Sequence, residues 1–270
     1  PPHPSAPPED APPGPAPPGP APPARALPAL MHFERHRWHS PNLGRQMETL
    51  VFGHAGAKLL VFPTSYGTCW EWPDRRMPQV LGDHLANGWL QMYCVDQVHT
   101  DGGWYSKDRH PGARAWRQLQ YDAYLREEVI PLTYARNPND FVITAGASFG
   151  AYDAMVFGLR NPHIVRRIIG MSGMYDIRAQ TDGYSDGTVY QVNPYEFIPH
   201  EHDPGRLALL RRQDIILAIG ETDYHIEQNH AFSGMLWGKG IGNALRVWKG
   251  FAHDWPWWER MLRLYIKGHD

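Results

Sequence analysis

The stretch Thr144-Ala145-Gly146-Ala147-Ser148-Phe149-Gly150-Ala151-Tyr152 decides how this chain is read. An apolar run, Phe141-Val142-Ile143, leads into it, and the segment from Ala151 to Arg160 that follows has the composition of a helix. Strand, Gly-x-Ser-x-Gly, helix is the sequence context of a nucleophile elbow, a sharp turn that lifts a serine hydroxyl above a sheet. Strand and helix nearly touch at such a turn, so the flanking residues must lack bulk. Gly146, Ala147, Gly150 and Ala151 meet that demand. A pentapeptide motif is a hypothesis until its surroundings agree with it.

The surroundings alternate. Phe33 to Trp38 and Gln46 to Phe52 are expected as short strands about the turn cluster Ser40-Pro41-Asn42-Leu43-Gly44. Leu59-Leu60-Val61-Phe62 and Leu90 to Val95 are continuous apolar runs, the pattern of strands covered on both faces. Further strands are expected at Ile164 to Met171, Ile215 to Ile219 and Leu245 to Trp248. Helices are expected at Gln79 to Ala86, His225 to Trp237 and Trp257 to Ile266. A long one from Arg114 to Tyr134 carries Trp116, Leu119, Tyr121, Leu125 and Val129 near helical spacing. Residues 174 to about 205 read as irregular and Tyr- and Pro-rich, the flank or cap of an active site. The class is therefore α/β, with a mostly parallel sheet covered on both faces.

Composition limits the functions to consider. The chain has 270 residues, 42% of them hydrophobic and 20% charged, and a formal net charge of −2, which gives no reason to expect nucleic acid or an anionic membrane as partner. No apolar run approaches the ~20 residues of a membrane-spanning helix. Cys69 and Cys94 are too few for a disulfide framework. Residues 1 to about 30 hold about half of the 26 prolines and almost no large apolar side chains, so a disordered or polyproline-like tail is expected there, followed by a single domain over 31–270. The tail lacks the charged start and apolar middle of a secretory signal, which leads to an expectation of cytoplasmic residence. Nothing in the sequence fixes the oligomeric state, and a homo-oligomer stays open.

Ligands of an open parallel sheet bind outside the carboxyl ends of its strands. The polar clusters that carry chemistry all lie there. A serine hydroxyl needs an adjacent base held by a third group. Gly220-Glu221-Thr222-Asp223 follows one strand and Gly250-Phe251-Ala252-His253-Asp254-Trp255 the next, so serine, acid and histidine arrive in the order of the α/β-hydrolases. Of the 15 histidines only His253 follows the last strand directly. For the acid, Asp223 is preferred and Glu221 is second. Asp176 lies after the preceding strand, while Asp254 adjoins the histidine and would point away from it. The oxyanion of a tetrahedral intermediate needs backbone N–H donors. Phe149, next to the serine, is expected to supply one, and the loop Pro63-Thr64-Ser65-Tyr66-Gly67-Thr68 the other, through Tyr66.

Together, Gly146-Ala147-Ser148-Phe149-Gly150, the Gly220-x-x-Asp223 loop and the Gly-x-x-His253-Asp254-Trp255 terminus resemble the "Putative esterase" family of α/β-hydrolases. Feruloyl esterases, S-formylglutathione hydrolases, enterochelin-type esterases and mycolyltransferases belong to that family. The resemblance covers about Met31 to the C-terminus. It implies Ser148 as nucleophile, Asp223 as acid, His253 as base, a small-molecule ester as substrate and no cofactor. Many relatives carry His-Gly or Ser-Gly in the first oxyanion loop, where this chain has Thr64-Ser65-Tyr66. An acyltransferase on the same triad and a non-catalytic binding scaffold remain as alternatives.

Other clusters carry less. His200-Glu201-His202-Asp203 lacks the spacing of a helical or zinc-type ligand set and reads as a solvated loop. Gly238-Lys239-Gly240 reads as a helix C-terminus. Trp70, Trp72, Trp104, Tyr105, Trp255, Trp257 and Trp258 fall near strand ends; those that line a cleft would favour an apolar or aromatic acyl group or a sugar face.

Overall fold

A computed structural model describes residues 31–268, so the expected Pro-rich tail lies outside the described residues. Eight strands form one sheet: β1 (Phe33–Ser40), β2 (Arg45–Phe52), β3 (Ala57–Phe62), β4 (Leu90–Val95), β5 (Val142–Ala147), β6 (Val165–Met171), β7 (Asp214–Gly220) and β8 (Ala244–Trp248). Their spatial order is β1-β2-β4-β3-β5-β6-β7-β8. The first two strands run antiparallel to each other, β2 runs antiparallel to β4, and every later pairing is parallel.

The central parallel strands are mostly apolar and buried because both faces are covered. Successive residues serve opposite layers, as the two-residue period of a strand requires. Leu60, Phe62, Tyr93, Ile168 and Leu217 belong to one core, and Leu59, Val61, Met92, Ile143, Ile169 and Ile216 to the other. Leu60 is wholly buried; truncating such a residue to alanine costs about 2–5 kcal/mol.

Over the first core pack the long helical run, the helix that follows Ser148 and a late helix: α4 (Pro111–Tyr124), a π-turn (Leu125–Val129), α5 (Ile130–Arg136), α6 (Phe149–Arg160) and α11 (Ile226–Gly238). The π-turn stands just before Pro131, which has no N–H to return to the carbonyl four residues back. Glu128 on that turn accepts from Trp38 Nε1 (2.6 Å), Ser40 Oγ (2.7 Å) and Asn42 Nδ2 (2.9 Å), which ties the β1–β2 hairpin to the helical layer.

Over the second core lie α1 (Glu71–Asp74), α2 (Met77–Val80), α3 (Gly82–Ala86) and the closing helix α12 (Trp255–Tyr265). One helix at Gln79 to Ala86 was the expectation here. Instead the chain leaves the helix at Leu81 (φ −100°, ψ 16°), which separates α2 from α3 just before Gly82, while left-handed Arg76 (φ 62°) separates α2 from α1. The segment after β6 is likewise less irregular than its composition implies. It folds into α7 (Arg178–Thr181), α8 (Gly187–Val192), α9 (Pro194–Phe197) and α10 (Pro204–Leu210), the last three capped by Asp186, Asn193 and Asp203.

Cys69 and Cys94 are free and buried, and burial raises both thiol pKa values, which keeps them unreactive. Among the described residues no helix is long and apolar enough to cross a membrane.

Candidate active site

Ser148 occupies the turn between β5 and α6 with φ 53° and ψ −121°, a conformation that a side chain makes unfavourable. The surrounding contacts hold it there. Ser148 N–H donates to Met171 O at the end of β6 (2.8 Å), and its carbonyl accepts from Ala151 N–H (3.1 Å). The two glycines are steric necessities. A Cβ on Gly146 would lie 2.0 Å from Gly150 O, and one on Gly150 would lie 2.5 Å from both Phe62 O and Pro63 O. The second contact brings the end of β3, and the loop after it, against the first turn of α6.

His253 reaches the serine from beyond β8. Its Nε2 lies 3.2 Å from Ser148 Oγ and its Nδ1 2.7 Å from Asp223 Oδ2. The Asp223 side chain is wholly buried, whereas that of His253 keeps 17% of its exposure. Burial alone pushes the Asp223 carboxyl up. Bonds from His253 and from the His225 N–H (3.0 Å), with the charge of both imidazoles, outweigh burial and hold it below the usual carboxylate value. The loops bearing acid and histidine are pressed together, since a Cβ on Gly220 would fall 2.1 Å from Phe251 O.

The other acids are engaged elsewhere. Glu221 Oε1 accepts from Gly250 N–H (2.9 Å), tying the two loops from the exposed side. Asp176 pairs with Arg178, and Asp254 caps α12 by accepting from Trp255 N–H (2.7 Å). The His200–Asp203 cluster is equally spent: Glu201 pairs with Arg206 (2.7 Å) and Asp203 caps α10. Among the described residues no group of His, Cys, Asp and Glu could hold a metal ion.

Phe149 is the first residue of α6, so its N–H has no carbonyl within the helix to bond. Tyr66 sits at the centre of a tight turn closed by Gly67 N–H to Thr64 O (3.0 Å). Its ring is 71% exposed and stacks on Tyr105 (centroids 4.6 Å), which in turn lies 5.3 Å from the Phe149 ring.

Ser172 and Trp258 brace the histidine loop, and of the two only Trp258 was expected near a strand end. Ser172, left-handed at φ 51° after β6, donates from Oγ to Ala252 O (3.1 Å) and accepts from Trp258 Nε1 (3.1 Å). Ala252 is itself left-handed at φ 48°, and Trp258 meets the His253 ring edge-on at 5.5 Å. Gly-rich strand ends hinted at close approach, but nothing in the sequence marked Ser172. Of the aromatics expected near strand ends, Trp72, Trp104, Trp255 and Trp258 are buried packing residues. The exposed aromatics beside the serine and histidine are Tyr66, Tyr224 and Phe251, with Phe251 stacked on His253 (5.5 Å).

A family model described as "Putative esterase" matches residues 92–264, well over half of the chain. The chain belongs to that family. Among solved structures, a ferulic acid esterase superposes with a TM-score of 0.70 at 19% identity, over 87% of this chain and 96% of its own. An S-formylglutathione hydrolase from Staphylococcus aureus gives 0.67 at 16%, over 88% and 95%. Another from Agrobacterium tumefaciens gives 0.70 at 13%, over 90% and 95%. The fold is that of the α/β-hydrolases. No curated protein sequence matches.

Proposed function

We propose that this esterase-family protein cleaves a small carboxylic ester through an acyl-serine intermediate. One observation carries the reading: the unbroken line from Asp223 Oδ2 through His253 to Ser148 Oγ, at 2.7 and 3.2 Å, on a strained elbow. Asp223 is an acceptor, so the imidazole hydrogen stays on Nδ1 and the Nε2 lone pair faces the serine. Ser148 Oγ attacks the ester carbonyl carbon while its proton passes to His253 Nε2. The imidazolium, stabilised by the buried Asp223 carboxylate, then returns that proton to the leaving alkoxide. Water repeats the sequence on the acyl-serine and frees the acid. No cofactor takes part in these steps.

Charge develops on the former carbonyl oxygen, and the Phe149 N–H, first in a 12-residue helix and without a carbonyl partner inside it, is the first proposed donor. The Tyr66 N–H is the second proposed donor. The exposed rings of Tyr66, Tyr224 and Phe251 support a substrate with an apolar or aromatic group beside the scissile bond.

A fluorophosphonate probe together with a panel of acyl esters, offered water or an alcohol as acceptor, tests the proposal. The expected result is covalent labelling at Ser148 and release of free acid. Labelling with preferential transfer to the alcohol would make the protein an acyltransferase, and no labelling would make it a scaffold.

A further inference from the structure

A second imidazole–carboxylate pair lies behind Phe149. His99 Nε2 is 2.6 Å from Asp153 Oδ2, and both side chains are wholly buried. Gln118 Nε2 donates to Asp153 Oδ1 (3.0 Å), while His99 Nδ1 has no partner among the described residues. The His99 ring meets that of Phe149 edge-on at 4.6 Å. A buried pair of this kind is a poor source of stability, because removing both groups from water offsets most of their attraction. Its use must be sought in what it connects.

It connects the two elements that carry the proposed oxyanion donors. Asp153 stands one turn into α6 from Phe149. From His99 the chain runs both ways to the turn that carries Tyr66. The His99 N–H donates to Gln97 Oε1, and Gln97 Nε2 donates to Gly67 O (3.1 Å). The His99 carbonyl accepts from Tyr105 N–H (2.9 Å), Tyr105 OH donates to Ser65 Oγ (2.7 Å), and the Tyr105 ring stacks on Tyr66. Three consecutive residues, Ser65, Tyr66 and Gly67, are thus gripped by the segment 97–105. That segment is joined to the helix that follows Ser148 by the His99–Asp153 pair and by the ring contacts of Tyr105 with Phe149 (5.3 Å) and of Trp104 with Tyr152 (6.3 Å). The other end of the turn is held separately, by Glu71, which accepts from Thr64 N–H (2.7 Å) and Thr64 Oγ1 (2.6 Å).

We propose that Gln97, His99, Tyr105 and Asp153 form a strut that sets the spacing of the Tyr66 and Phe149 amides, and that these four are positioning residues for the reaction. The inference rests on ester cleavage at Ser148. Oxyanion donors act only when they lie about 2.7–3.1 Å from the place where the charge develops. A misplacement of about 1 Å originating away from the reacting atoms can slow a reaction about 10²-fold. Two donors from separate loops therefore need a rigid connection, and the sequence places no covalent one between them.

The test uses Gln97→Ala, His99→Gln and Tyr105→Phe with p-nitrophenyl acetate as substrate. Active sites are counted with a fluorophosphonate, and affinity is measured for a phenylboronic acid, whose tetrahedral adduct on the serine mimics the charged intermediate. Gln97→Ala and His99→Gln are expected to lower kcat per active site about 10- to 100-fold. KM should stay within about twofold and boronate affinity should fall by a factor like that of kcat. Tyr105→Phe, which loses one bond and keeps the ring, is expected to lose about 3- to 10-fold. Should His99→Gln fail to fold, the other two substitutions, at the far ends of the strut, decide the matter. Unchanged kcat per active site and unchanged boronate affinity, whatever the melting temperature or the fraction of active molecules, would overturn the strut while leaving the esterase reading intact. A wild-type protein inert to both ester and fluorophosphonate would overturn the two together.

Discussion

Two of the molecule's imidazole–carboxylate pairs, His253–Asp223 and His99–Asp153, have nearly equal lengths and opposite circumstances. In one, His253 meets Asp223 at 2.7 Å through Nδ1 and offers Nε2 to Ser148 Oγ. In the other, His99 meets Asp153 at 2.6 Å through Nε2, and its Nδ1 has no hydrogen-bond partner among the described residues. The first histidine keeps part of its edge in solvent and the second has none exposed. The same two side chains at the same separation are therefore equipped for different tasks. What differs is the third partner and the access of a substrate to it. His253 follows left-handed Ala252 and is braced by Ser172 and Trp258, with its second nitrogen 3.2 Å from Ser148 Oγ. His99 is enclosed by Phe149, Tyr105 and Tyr121 and can only hold things in place.

The comparison breaks most visibly at the serine. Ser148→Ala and His253→Ala are each expected to lower turnover by roughly four to six orders of magnitude, and the double variant to be little worse than either alone. Single-turnover ester cleavage on protein of verified purity measures this, and additive losses would show that the two groups do not act as one unit.

Next come the carboxylates. Asp223→Asn should keep the fold and reduce kcat about 10⁴-fold, because an amide stabilises the wrong histidine tautomer. Asp153→Asn should reduce kcat no more than about 10²-fold but destabilise the protein by about 1–3 kcal/mol, the range for a buried partner left badly satisfied. Kinetics and urea unfolding of the two variants side by side would erase the distinction if the effects came out alike or reversed. Smaller again is Glu221→Gln. Glu221 bonds a backbone N–H on the exposed side of the site, so a change of no more than about threefold is expected in kcat/KM. A loss near that of Asp223→Asn would transfer the acid's role to Glu221.

The two pairs also differ in how far they can be read from sequence. Ser148, Asp223 and His253 each directly follow a β-type apolar run, and the elbow glycines announce a close approach that the structure bears out at Gly146 and Gly150. These signals are local. His99 also follows a strand, β4, so its position was a usable hint, but Asp153 sits inside a helix whose pattern reads as ordinary packing. Their meeting depends on how α6 lies against the loop after β4, which no local pattern encodes. The short helices of the β6–β7 connection escaped for another reason, since elements of four to six residues such as Arg178–Thr181 and Gly187–Val192 show barely one turn of periodicity. In the region of α1 to α3 the expected helix Gln79 to Ala86 is broken at Leu81, just before Gly82, and a glycine within so short a helical run was a legible breaker.

The smallest expected effect concerns acid. In the folded protein the Asp223 carboxyl titrates below its ordinary value of 3.8, because the bonds from His253 and the His225 N–H outweigh its burial. A carboxyl lowered on folding binds fewer protons in the folded chain than in the unfolded one between the two values. Its contribution to stability is therefore whole above about pH 4, and is lost as the pH falls through the folded value. Asp223→Asn has no such proton to take up. The stability of the wild-type protein relative to Asp223→Asn should accordingly hold steady from pH 6 to about pH 5 and narrow as the pH falls below about 4. Urea midpoints of both proteins at matched ionic strength measure that difference. A gap that stays constant, or widens with acid, would mean that the carboxylate gains nothing from His253 in the folded chain. The line from Asp223 to Ser148 would then lose its first link.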